Sequence, residues 1–521
     1  MKNEPREACY LRQEVLDYVG NPLIEALPPI YLEDEAARRL TVDPGYHESE
    51  RELDAHYRSH SIWRLFRYFQ PIVAHLDIEN RISTAIRQGY ISRNPATPQY
   101  AAMLAQGAEA VSEQSQCLGD YYTGSATSVG FTVIGMSGVG KTTGVQRVLS
   151  LYPQVIRHTQ YKGEPLFMDQ LVWAKLDCPF DGSIKGLCLD FFAYVDRVVG
   201  TDYTRKFSVN RMAVNAALPR MAQIANTHCL GLLVIDEIQH LIQAKGDGKE
   251  KMLNFFVTLV NTVGVPVVLI GTTKAMEMLQ SEFRQARRSS AQGSLFWDRM
   301  QNDQSWSVMI RSMWKYQWLR KQTPLTDELK NVLYEESQGI IDIAVKLYAM
   351  AQSKAIADGI ETITAKTIRE VVSEKLQLVK PMLKALREGD IEKLAQYEDI
   401  RLLDVECYLA AQCARLPSAT KAETNDTRHA LEEQIIVKLL EMDIPSKLAR
   451  SAAKKALRQG ATGQPLSAVA KKAMRIALNM EGEKAGVAKT EQEGDLRDVP
   501  IESVYDELKT SGAIAGSTEE F

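Results

Sequence analysis

At 521 residues the chain is too long for one compact core, so two to four domains are expected. Its 45% hydrophobic and 25% charged residues are ordinary for a globular protein, and a net charge of −4 excludes a uniformly basic nucleic-acid binder, leaving any DNA contact to local basic clusters. The longest apolar runs, Leu230–Ile235 and Val265–Ile270, are strand-sized and give no spanning helix, while seven scattered cysteines without a C-x-x-C pair point to reduced thiols in a cytoplasmic protein.

The first residues, MKNEPREACYLRQ, carry no apolar signal core, so export is not expected. In GNPLIEALPPI the residues Pro22, Pro28 and Pro29 bar a continuous helix, and the charged HESERELDAHYRSH follows. Residues 1–66 are therefore expected to form an extension, laid on a surface or kept for a partner. His56 and His60 stand four apart, but no acidic residue of the H-E-x-x-H kind accompanies them, which argues against a metal site. Helical periodicity appears in FRYFQPIVAHLDIENRISTAIRQGYISRNP (66–95) and stops at Gly-Tyr and Asn-Pro.

Residues 129–275 alternate strand and helix signals, with strands expected at 129–134, 171–177, 230–236 and 265–271. That alternation predicts an α/β domain with a parallel sheet and crossover helices. The first strand runs into GMSGVGKT, which fits G-x-x-x-x-G-K-[ST]. Gly135, Ser137, Gly138, Val139, Gly140, Lys141, Thr142 and Thr143 are the expected ATP-binding residues. The glycines let successive N–H groups face phosphate oxygens at a helix N-terminus, Lys141 brings positive charge, and the Thr142 hydroxyl offers Mg²⁺ a ligand.

The strand in CLGLLVIDEIQHL ends in Asp236 and Glu237. Asp236 is expected to hold Mg²⁺ and Glu237 to polarise an attacking water. The pair favours water as acceptor, hence an ATPase rather than a kinase. In VPVVLIGTTKA, either Thr272 or Thr273 can contact the γ-phosphate or that water. SEFRQARRSS supplies Arg284, Arg287 and Arg288. Arg287 and Arg288 are the preferred pair to stabilise transition-state charge, from a neighbouring subunit if the protein oligomerises.

After Pro324 the pattern is helical. TDELKNVLYEESQG, IIDIAVKLYAMAQSKAIADG and TAKTIREVVSEKL predict three helices broken at Gly339 and Gly359. Residues 67–321 are thus read as the nucleotide-binding domain and 322–380 as a helical lid, where Lys346 can approach the same phosphate. Residues 381–480 stay helix-rich and contain a basic block, Lys447, Arg450, Lys454, Lys455, Arg458, Lys471, Lys472 and Arg475. No Asp or Glu lies between Ile444 and Met480. The tail 481–521 is polar and acidic, flexible until bound.

In order, NPLIEALPP, QPIVAHLDIENRISTAIRQGYISRNP, GMSGVGKTT, LDCPFDGSIKGLCLDFF, QIANTHCLGLLVIDEIQHL, MLNFFVTLVNTVGVPVVLIGT and ESQGIIDIAVKLY resemble the TnsC family. These are the AAA+ ATPase regulators of bacterial heteromeric cut-and-paste transposons. The resemblance spans roughly residues 20–375. NPLIEALPP and the RQGY…RNP block make it specific. It implies an AAA+ P-loop NTPase core, a parallel sheet sandwiched by helices, with a small helical lid, an N-terminal extension and a helical C-terminal region. It also implies ATP-dependent rings or filaments on double-stranded DNA, which recruit and activate the transposase and are reset by hydrolysis. The N-terminal region would meet a TnsD- or TniQ-like target selector and the C-terminal tail the TnsA- and TnsB-like transposase subunits.

A DNA-bound ring needs basic residues on its inner face. TDYTRKFSVNR, with Tyr203, Arg205, Lys206 and Arg211, is one candidate and the block 444–480 another. Two rival classes share the core. A replication-type helicase loader would bind DNA and stimulate a helicase. A signalling switch NTPase would show no ATP-dependent DNA affinity.

Overall fold

The computed structural model describes residues 5–112, 128–207, 214–243, 248–258, 260, 263–276, 293–377, 379–388, 405–416, 435–436, 438–439, 444–458, 469 and 471–477. The chain divides into two units, residues 1–416 and 417–521. In chain order the strands are β1 (Arg6–Glu7), β2 (Phe131–Gly135), β3 (Val155–Tyr161), β4 (Glu164–Leu171), β5 (Trp173–Asp177), β6 (Leu232–Asp236), β7 (Val267–Gly271) and β8 (Ser294–Trp297).

The first unit is built on a five-stranded sheet of order β5-β6-β7-β2-β8 in which every pairing is parallel. Strands β2, β6 and β7 are buried along their whole length, which explains their unbroken apolar runs. Their side chains alternate between two cores. Leu233, Ile235 and Leu269 pack with Leu187, Phe191 and Phe192 of helix Ile184–Val199. On the other face Val133, Val234 and Ile270 pack with Ile78, Ile82 and Ile86 of helix Val73–Ile91 and with Val145 and Val148 of helix Lys141–Leu149. Each such aliphatic burial contributes about 1.5–3 kcal/mol.

The four expected strands form, shifted by one or two residues. Strand β8 was not expected: it is four residues long, half-exposed and without a sustained apolar run. A β3–β4 antiparallel hairpin also follows the helix Lys141–Leu149, closed by Lys162 and Gly163, both at positive φ. Its sequence, VIRHTQY, lacks clean alternation, so the hairpin leaves no period-two signal.

The N-terminal region differs from a loosely laid extension. Leu23, Ile24 and Leu27 are buried in the same core as β2, and β1 extends the hairpin sheet beside β3. Pro22 starts the short helix Pro22–Glu25, capped by the Asn21 side chain. Asn21 also donates to the Tyr90 carbonyl, Asn94 to that of Gly20, and Arg87 to that of Pro28. The two blocks that make the family resemblance specific therefore bind each other.

The helical layer begins before residue 322. Helix Gln304–Trp314 shares one core with helices Asp327–Ser337, Ile341–Ala357 and Ala365–Lys375, and Ile62 and Leu65 from the N-terminal region complete it. Gly339 and Gly359, at φ +76° and +70°, stand at the expected breaks. Helix Val405–Arg415 belongs to this unit, through Tyr408 and Leu409, so the boundary lies near 416 rather than 380.

The second unit is helical, with Ala449, Ala452, Ala453, Ala456, Ala473 and Ala477 in its core. Arg450, Lys454, Lys455, Lys471 and Arg475 are exposed away from that core. The tail 481–521 lies outside the described residues. Among the described residues no helix is long and apolar enough to cross a membrane, and no cluster of His, Cys, Asp or Glu could hold a metal ion. The rings of His56 and His60 sit 5.8 Å apart.

Candidate nucleotide site

The topology brings the motifs together. Strand β7 lies between β6 and β2, so the glycine loop, the Asp-Glu pair and the Thr-Thr pair leave the carboxyl ends of three adjacent strands. Ligands of open α/β sheets bind at such an edge.

The loop after β2 is shaped by Gly138 and Gly140, at φ +80° and +102°, conformations that favour glycine. Gly140 is the N-cap of helix Lys141–Leu149, and nothing lies within 4 Å of where its Cβ would stand. Lys141 is 8% exposed, and its Nζ donates to the carbonyls of Gly135 and Met136 at 2.7 and 2.6 Å. Thr142 and Thr143 are exposed in the first helical turn, whereas Val139 is buried beneath the loop. Gly135 meets β8 so closely that a Cβ would lie 2.0 Å from the Trp297 carbonyl oxygen. Gly144 likewise faces the rings of Trp297 and His75.

Asp236 is 3% exposed. Its Oδ1 accepts from the Glu237 N–H at 2.9 Å, and its Oδ2 lies 3.0 Å from Lys175 Nζ on β5. Lys175 also reaches Asp177 at 3.2 Å. Burial pushes the Lys175 ammonium down, but the two carboxylates outweigh it and hold the group above its ordinary value. Glu237 is exposed, with φ +55°.

Of the two threonines, Thr272 is 6% exposed and its Oγ1 has no hydrogen-bond partner among the described residues, while Thr273 is half-buried. A buried hydroxyl without a partner is costly and marks a place where a polar group is wanted.

Other expected residues stand differently. Lys346 Nζ is 2.6 Å from Asp342 Oδ2 on its own helix. The Tyr203 hydroxyl is 2.8 Å from His228 Nε2, and its ring stacks on Phe207. Arg205 and Lys206 are exposed, with Arg205 paired to Asp202. Arg211, Arg284, Arg287 and Arg288 lie outside the described residues.

Sequence reading passes over Lys175, Gln239, Gly271 and Trp297. Gln239 accepts from the Thr272 N–H at 3.2 Å and donates to the Glu237 carboxylate. A signal exists for Gln239 alone, a long amide two residues beyond the motif glutamate. The others act through strand neighbours.

Residues 129–279 match the model of a family described as an AAA domain. The Aeropyrum pernix ORC1 protein in complex with DNA is similar at 12% identity and a TM-score of 0.35, over 76% of this chain and 88% of that chain. Cdc6p from Pyrobaculum aerophilum is 11% identical with a TM-score of 0.35, over 75% and 98% of the two chains. A Walker-type ATPase of Pyrococcus abyssi is 12% identical with a TM-score of 0.32, over 56% and 74%. These likenesses are loose. No curated protein matches the sequence. The chain carries an AAA-type ATPase domain, a parallel sheet flanked by helices, followed by a helical region.

Proposed function

We propose that the protein is a Mg²⁺-dependent ATPase whose nucleotide state controls its assembly on double-stranded DNA, and that it regulates transposition in the manner of the TnsC family. The observation that carries the ATPase part is the meeting of Lys141, Asp236, Glu237 and the Thr272 hydroxyl, unpartnered among the described residues, at the ends of three adjacent strands. The residues fit ATP: the left-handed Gly140 has open space where its Cβ would stand, and a buried hydroxyl without a partner among the described residues follows the strand that pairs with β2.

Lys141 and the loop N–H groups would hold the phosphates. Thr142 and Asp236 would hold Mg²⁺, which supplies charge neutralisation at the β- and γ-phosphates. Glu237 would take a proton from the attacking water, and Thr272 is favoured over Thr273 to contact the γ-phosphate or that water. Arg287 and Arg288 are proposed to act in trans, which makes a homo-oligomer the active form. Lys346, paired with Asp342, is the weakest of these assignments.

The transposition part rests on the sequence resemblance. DNA contact is proposed for Tyr203, Arg205, Lys206 and Arg211, with the exposed basic face of the second unit as another candidate. The switch needs two nucleotide states of different DNA affinity and little mechanical work. Partners on this reading are a TnsD- or TniQ-like selector and TnsA- and TnsB-like transposase subunits.

The test is binding to labelled double-stranded DNA without nucleotide and with ADP, ATP or a non-hydrolysable ATP analogue, with particle size followed in the same samples. Tight multimeric binding only with the ATP forms supports the proposal. Equal or absent binding in all four overturns it in favour of a signalling switch. ATP-dependent binding that stimulates a helicase, with no transposase recruited, would favour the loader reading.

A further inference from the structure

The turn after β6 reads Asp236-Glu237-Ile238-Gln239-His240, and we propose that Gln239 is a positioning residue that aims the Glu237 carboxylate and ties it to Thr272 on the neighbouring strand. The inference rests on the ATPase reading above and names a control within that site.

The amide can face only one way. Its Nε2 donates to the Glu237 carboxylate, which only accepts, and its Oε1 accepts from the Thr272 N–H, which only donates. Turned over, both contacts would be repulsive. The bridge thus runs from the proposed base to the backbone of the residue proposed to sense phosphate.

Two further observations show that this bridge is built in. First, β7 ends in Gly271, where a Cβ would lie 2.5 Å from Ile238 Cγ2 and 3.2 Å from Gln239 Oε1. Any larger residue would crowd out the route by which Gln239 reaches Thr272. Second, Glu237 sits at φ +55°, a left-handed conformation that a non-glycine residue holds only when its surroundings impose it.

The surroundings that impose it come from both adjacent strands. Ile238 is fully buried beneath the turn. The His240 N–H donates to the Glu237 carbonyl at 3.0 Å, and His240 Nδ1 lies 3.0 Å from the Cys178 carbonyl just past β5. Gln239 supplies the matching hold from the β7 side. Glu237 is otherwise exposed, and among the described residues Gln239 is the side chain that holds its carboxylate from the β7 side.

The Thr272 hydroxyl is buried without a partner among the described residues, while its N–H is held by Gln239. A shift of Thr272 toward a γ-phosphate would therefore pull on the amide that aims Glu237. Base and sensor would move as one element, and hydrolysis would depend on Thr272 being seated.

The test compares full-length wild type, Gln239→Leu, Gln239→Glu and Glu237→Gln. Leu removes both bonds. Glu has nearly the same volume and keeps an acceptor for Thr272, but sets one carboxylate against another. Steady-state ATP hydrolysis gives kcat and KM, a fluorescent non-hydrolysable ATP analogue gives Kd, and thermal melting checks the fold.

Gln239→Leu is expected to lower kcat about tenfold or more, because the base is misplaced, with Kd within about twofold of wild type and unchanged melting. Gln239→Glu should lose more than Gln239→Leu. Wild-type kcat in Gln239→Leu would overturn the inference, as would kcat and Kd worsening together in both variants, the pattern of a purely structural role. If wild type turns over no faster than Glu237→Gln, the ATPase reading itself fails, and that pattern is distinct from either result.

Discussion

Arg58 and Glu361, 303 residues apart in the chain, form a two-pronged ion pair with N···O distances of 2.7 and 2.6 Å. Arg58 is 1% exposed and also donates to the carbonyls of Leu53 and Trp318. Helix Ala55–Ile62 is thereby pinned to the turn that follows helix Ile341–Ala357. Removing the guanidinium leaves a half-buried carboxylate and the two carbonyls without their donor. Arg58→Ala should cost about 3–5 kcal/mol by urea unfolding. Arg58→Lys should recover only part of that, because one ammonium cannot make both prongs. A loss near zero would show that the pair behaves like one at the surface.

The glycine loop and the Asp-Glu pair predict opposite phenotypes. Lys141→Ala should abolish nucleotide binding, since the loop loses its only lysine charge. Glu237→Gln should bind ATP normally, stop turnover by a factor of about 10²–10⁴, and accumulate the DNA-bound assembly. Filter binding with radiolabelled ATP and a phosphate-release assay separate the two. Nucleotide-independent assembly on DNA by the Lys141 variant would contradict the switch.

Gly144 lies inside the loop's helix, where alanine would ordinarily raise stability. Here a Cβ would lie 2.5 Å from Trp297 Cη2 and 2.7 Å from His75 Cδ2. Both rings are buried and packed edge to face, with centroids 4.9 Å apart, so neither can swing aside cheaply. Overpacking of this kind costs about 1–3 kcal/mol, more than the roughly 1 kcal/mol of helix propensity gained. Gly144→Ala should lower the melting temperature and weaken nucleotide affinity. A rise in melting temperature would show that the rings yield.

His75 makes the same packing sensitive to acid. Its Nδ1 accepts from the Ile72 N–H, and burial pushes its pKa down from 6.5 to about 4. Above pH 6.5 the ring is neutral in both folded and unfolded chains and costs nothing. As pH falls from about 6.5 to about 4, the unfolded chain takes up a proton that the folded chain refuses, so stability declines across that window. The decline attributable to His75 is of order 3 kcal/mol. Unfolding of wild type and His75→Gln at pH 7.5 and pH 5 should show a smaller pH loss in the variant, and equal losses would assign the effect elsewhere.

Much of the candidate site is legible in the amino-acid sequence. Gly135–Thr143 and Asp236–Glu237 are contiguous motifs, each next to an apolar strand, and adjacency in sequence survives folding. Legibility stops wherever a role depends on a strand neighbour. Thr272 and Thr273 are equivalent in sequence, and only burial separates them. Tyr203 stands in a basic loop by sequence, and only the fold sets its hydroxyl beside His228, 25 residues later. Lys346 is a plausible phosphate contact by its place in the helical lid, yet the helix sets Asp342 one turn away and pairs the two.

The order of amino acids is enough to specify the phosphate loop, the paired carboxylates and four of the five parallel strands. A strand buried on both faces must be apolar throughout, and a phosphate loop needs glycines at fixed spacing. Tertiary packing is what sets β7 between β6 and β2, closes β8 against Gly135, lets Gln239 span two strand ends, and draws residues 20–30 and 55–65 into the cores. Those relationships join residues far apart in the chain. They follow from which strands pair and which surfaces must be covered, and no local pattern encodes either.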